Sequence, residues 1–99
     1  MTDPALPNAR PESIAVRDSA LTILGYDLSI FNRLKDGGLR RGRDDEIAKE
    51  RARVWREMRT ALSFPQIARS CGMKSHSTIV ESVYRLERRE HEERKRGAK

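Results

Sequence analysis

Apolar residues recur along this chain at helical spacing, and no segment alternates as a strand would. Ile14, Val16, Leu21, Ile23 and Leu24 predict a first helix that opens near Pro11 and Glu12 and is stopped by Gly25. Leu28, Phe31 and Leu34, three residues apart, predict a shorter helix capped by Asp27. Asp36, Gly37 and Gly38 then break it, because glycine tolerates the positive dihedrals of a tight turn. Ala48, Ala52, Trp55, Met58 (or Arg59) and Leu62 predict a long helix running to about Leu62. Asp44 and Asp45 open it by capping and by facing the positive end of the helix dipole. Ile67, Ala68 and Cys71 form one face of a short helix, and Ile79, Val83 and Leu86 the inner face of a last one. The fold class expected is all-α, a small helical bundle.

Three of the four prolines fall in residues 1–11, which have few apolar groups and are expected to be a disordered lead-in. A helical domain follows over 12–89. Residues 90–99 form a charged tail, read as a fraying continuation of the last helix. Pairs such as Glu90 with Arg94 favour helix there by about 0.2–0.5 kcal/mol each.

Ninety-nine residues suffice for one domain with a modest core. Charge changes the picture more than size does. Residues 1–38 hold four basic and five acidic side chains, whereas residues 39–99 hold seventeen and ten. A lopsided basic half is the electrostatic footprint of an anionic partner, nucleic acid or anionic membrane. The longest apolar cluster, residues 21–24, is far too short to span a bilayer, and the N-terminus lacks the pattern of a signal peptide. Cys71 is the one cysteine, so no internal disulfide can form and a reducing cytoplasm is expected. On the apolar face of a short helix, it reads as a packing residue. His76 and His91 lie fifteen residues apart with no cysteine pair, so no metal is expected. No G-x-x-x-x-G-K-[ST] loop is present, and His76 has no evident nucleophile beside it. The expectation is therefore no enzyme and no cofactor.

The informative stretch is residues 62–80. Ser63 and Gln66 form a capping-box pattern, with Pro65 in the first turn, where its missing N–H costs nothing. Gly72 fits the left-handed position after the short helix, and Ser75 then caps a helix beginning at His76. Two short helices around a glycine-containing turn predict a helix-turn-helix over residues 63–86. Its second helix would start with Lys74, Ser75, His76, Ser77 and Thr78, all polar. Such a start suits base edges in a major groove, and the Thr78 methyl suits thymine. Taken alone, the run fits an ordinary helix cap in a bundle equally well.

The stretch resembles the C-terminal DNA-binding domain of the bacterial replication initiator DnaA, a Trp-repressor-like helix-turn-helix. That family's signature runs S-L-P-E-I-G, a short spacer, then F-G-G-R-D-H-T-T-V. Ser63, Pro65, Ile67, Gly72, His76 and Thr78 match it identically, and Phe64, Gln66, Ala68, Lys74, Ser77 and Ile79 are near substitutions. Upstream, Arg40, Arg41, Gly42 and Arg43 fall where the family has a basic R-R-x-R loop. The resemblance spans roughly residues 20–89 and is strong over 62–80.

The resemblance implies that Ser75, His76, Ser77 and Thr78 read bases in the major groove, while Arg41 enters the minor groove from the basic loop. It implies backbone contacts by Arg40, Arg43, Phe64, Pro65, Lys74 and Arg85, which fix register without reading sequence. Ser75 stands where the family has aspartate, so the acceptor for a cytosine amino group is weakened. Lys74 replaces a bidentate arginine with a point charge. The partner expected is double-stranded DNA, in a cytoplasmic, nucleoid-associated protein that regulates replication initiation or transcription. A protein partner from that machinery is compatible with this role. The alternative is an interaction protein whose basic helices bind an acidic protein, with the helix-turn-helix only a scaffold. Non-specific RNA binding fits less well, since aromatics make up 5% of the chain and leave little for base stacking.

Overall fold

The computed structural model describes residues 3–31 and 41–97, and among them it contains helices and turns but no strand. The expected all-α class is therefore the observed one. Helix α1 spans Pro11–Leu24, with proline in its first turn. Gly25, at φ 75°, ends it in a left-handed turn. There the Tyr26 N–H donates to the Leu21 carbonyl at 2.9 Å and the Gly25 N–H to that of Thr22 at 3.2 Å. These two bonds satisfy carbonyls that the helix end would otherwise orphan. A single 3-10 turn follows at Leu28–Phe31. Ile30 and Phe31 are buried, and the expected inward Leu34 and the break at residues 36–38 lie outside the described residues.

Helix α2 spans Arg41–Met58 and packs against α1, the 3-10 turn and α4. Its start corrects the sequence reading. Arg41 and Arg43 belong to its first turn instead of a basic loop, and Asp44 and Asp45 lie within the helix instead of capping it. Its buried stripe keeps Ala52, Trp55 and Met58 of the expected one, gains Ile47 and Val54, and loses Ala48, which is exposed. Larger side chains offer more area to remove from water, and each full burial contributes about 1.5–3 kcal/mol. Trp55 stacks on Phe31 with ring centroids 6.3 Å apart, joining α2 to the 3-10 turn.

The helix stops at Met58, four residues earlier than the apolar spacing suggests. The Ala61 and Leu62 N–H groups both donate to the Met58 carbonyl, at 3.0 and 2.9 Å. Leu62 therefore returns to the core from a turn. Spacing alone cannot separate that turn from one more turn of helix.

Helix α3 spans Phe64–Ser70, and α4 spans Ser77–Gly97. Ile67 and Ile79 are both fully excluded from solvent and share one cluster with Val54, Met58 and Val83. Residues 90–97, expected as a tail, continue α4, and Arg56 pairs with Glu90 across α2 and α4.

The expected disordered lead-in is the clearest correction. Residues 3–10 lie along α1 and α3, with Pro4 buried and the Leu6 N–H donating to the Arg69 carbonyl at 2.9 Å. Arg17 supplies the reason. It is 1% exposed, and its guanidinium holds both Asp3 carboxylate oxygens at 2.7 and 2.8 Å.

Candidate nucleic-acid interface

The candidate surface is built on α3, the turn after it and the first residues of α4. At the start of α3 the Gln66 amide oxygen accepts from the Ser63 N–H at 2.9 Å and from the Ser63 hydroxyl at 3.0 Å. Gln66 thereby makes its half of the expected capping box. Phe64 is half-buried under the Arg59 guanidinium, 4.8 Å from the ring centroid, and Pro65 is exposed. This contact of a cation with a π face pins the side of α3 that holds Phe64.

The turn is fixed from both sides. Gly72 has φ 81°, and the Met73 N–H donates to the Ala68 carbonyl at 2.8 Å, closing α3 with the same bond pattern as α1. From beneath, Arg17 donates to the Ser70 carbonyl at 2.7 Å. Burial would favour a neutral Arg17, but its bonds to Asp3 and Asp18 outweigh this and raise its pKa. In return, Arg17 lowers the Asp3 carboxyl to about 2. Cys71 is buried, and burial pushes its thiol up to about 11. At neutral pH it is a protonated packing group, not a nucleophile.

Lys74, Ser75, His76, Ser77 and Thr78 are all exposed. Helix α4 begins one residue later than expected. The His76 carbonyl accepts its first bond, from the Val80 N–H at 3.0 Å, so His76 occupies the cap position. The Ser75 hydroxyl accepts from the Ser77 N–H at 3.3 Å and lies 3.3 Å from the Ser77 hydroxyl. Both bonds are long, leaving the hydroxyls available to an outside partner. Immediately behind them Ile79 is completely buried, which anchors the polar end from within.

A groove beside this end is lined by Leu6, Asn8, Pro65, Arg69, Lys74 and His76, among others, and by no carboxylate. Arg85 is exposed, eight residues into α4 from Ser77, which is about 12 Å along the axis. The spacing of Thr78, Ser82, Arg85 and Arg89 puts them on one face. Pro65, Lys74 and His76 thus line one groove, Ser75, Ser77 and Thr78 next to them in the chain are exposed, and Phe64 is half-buried. Arg40 and the side chains of Arg41 and Arg43 lie outside the described residues.

Sequence reasoning missed the contribution of residues 3–10. Its one local signal was the acidic Asp3, whose partner is fourteen positions away. Among the described residues no group of histidine, cysteine and carboxylate side chains could hold a metal ion. No helix among them is long and apolar enough to cross a membrane. Compared with known protein families, curated proteins and solved structures, the chain matches none.

Proposed function

We propose that this protein binds double-stranded DNA in a sequence-specific way, with α3 and α4 acting as a helix-turn-helix. The start of α4 enters the major groove. One observation carries the reading: five consecutive polar residues, Lys74 to Thr78, are exposed at the end of a helix whose next residue, Ile79, is fully buried. Hydrogen-bonding groups are thereby held in solvent on a rigid support, as recognition of base edges requires.

His76 and Thr78 read bases, Ser75 and Ser77 add weaker and more permissive contacts, and Lys74 and Arg85 hold phosphates. Arg41 reaches the minor groove, with Arg40 and Arg43 on the backbone. The role is regulation of replication initiation or transcription, in keeping with the resemblance to the initiator's DNA-binding domain.

Selection from a random duplex pool at near-physiological salt tests the reading. It should enrich a short motif of a few base pairs, the reach of one recognition helix. A pool that emerges unenriched, with no DNA protected in footprints and an acidic protein retained instead, refutes it in favour of protein binding.

A further inference from the structure

A second recess opens next to the groove beside α4. It is lined by Asn8, Arg10, Ser13, Gln66 and Arg69. Asn8 and Arg69 also line the groove that contains Lys74 and His76, so the two concavities share a wall. The chemistry of the recess is one-sided. Two arginines line it together with an asparagine, a glutamine and a serine, and no carboxylate does, not even Glu12 two residues beyond Arg10.

Arg69 donates its Nε to the Pro65 carbonyl at 3.3 Å, a bond that leaves its terminal nitrogens uncommitted, and its side chain is one of those that line the recess. Neither arginine takes part in an ion pair among the described residues. The recess exists because residues 3–10 are docked. The Leu6 N–H bonds the Arg69 carbonyl, and Asp3 is tied to Arg17, so Asn8 and Arg10 are carried to the side of α3.

We propose that this recess holds one phosphate of the DNA backbone, next to the stretch read by the start of α4, so that residues 8–10 form part of the DNA interface. An oxyanion supplies the negative charge and the acceptors that the two arginines, which carry only donors, lack. This inference rests on the duplex-binding reading and adds a contact to it. Such a contact fixes register and adds affinity without reading bases.

The test compares wild type with Arg10→Gln and the Arg10→Gln/Arg69→Gln double variant on the duplex enriched by selection. Arg10 is exposed and its side chain makes no bond among the described residues, so the single variant should melt as wild type does. The double variant should bind more weakly on every sequence, and its log–log salt slope should be shallower by about 0.9, the value of one phosphate. Ethylation interference should lose one phosphate position while base preference is unchanged. Wild-type slope and interference pattern in the double variant overturn the proposal and leave the duplex reading standing. Absence of any duplex binding by wild type overturns both. Saturable binding of inorganic phosphate by wild type, abolished in the double variant while its duplex contacts remain, also overturns it, in favour of a free-anion site.

Discussion

Arg17 shows how much one side chain contributes when its partners are far along the chain. Its guanidinium bonds Asp3, Asp18 and the Ser70 carbonyl, fixing the N-terminal segment, α1 and the end of α3 together. Arg17→Met keeps much of the bulk but strands the Ser70 carbonyl and frees Asp3. The loss should be about 2–3 kcal/mol, read as a lower urea midpoint at unchanged slope. Asp3 adds a pH dependence of definite sign. Folding lowers its carboxyl from 3.8 to about 2, so the stabilisation is complete above about pH 5 and is lost as pH falls towards 2. Asp3 is about half exposed, and solvent screening reduces its share to about 1 kcal/mol. Asp3→Asn should remove that part of the acid dependence, measured by denaturation between pH 2 and 6. None of this was legible locally. Arg17 sits among apolar positions as any solvent-facing arginine might, and apart from its neighbour Asp18 its acceptors are fourteen and fifty-three residues away.

At the scale of elements, the turn between α3 and α4 matters most, because it sets where the polar end of α4 points. Gly72 combines a left-handed backbone with close approach, since a Cβ there would press into the Pro4 carbonyl. Gly72→Ala should therefore cost about 2 kcal/mol or more and loosen residues 3–10, read by thermal melting and by faster amide exchange at Leu6. The left-handed turn was readable, since glycine after a short apolar-faced helix is a strong local signal. The inward faces of α3 and α4 were readable too: Ile67, Ala68, Cys71, Ile79, Val83 and Leu86 are all buried as their spacing requires. Helix ends were harder. Leu62 keeps a helical interval from Met58 while sitting in a turn, and Asp44 looks like a cap while α2 has already begun at Arg41. Ile23, read as a core residue, is 66% exposed, because Ser13, Arg17, Ala20 and Leu21 define the buried side of α1. A buried arginine in that stripe rotates the helix away from the face that hydrophobicity alone selects.

For the whole molecule, the excess of positive charge is the quantity that a duplex would sense first. The chain carries a net +6, concentrated after residue 38. With about five phosphate contacts, affinity should fall with salt at a log–log slope of about −4 to −5, measured by titration across 50–200 mM salt. Attraction of that kind is shared by every sequence, so it cannot separate a specific reader from a basic surface. The polar run on α4 can. Its residue types and exposure were legible as a pattern, whereas the recess formed by Asn8, Arg10 and Arg69 exists only once the N-terminal segment is docked. The most direct measurement is a competition gel shift of His76→Ala against wild type on the selected duplex and its single-base variants. Loss of about 1–3 kcal/mol on the selected site, with preference relaxed at one base position, is the predicted result. Unchanged discrimination at every position would contradict the account.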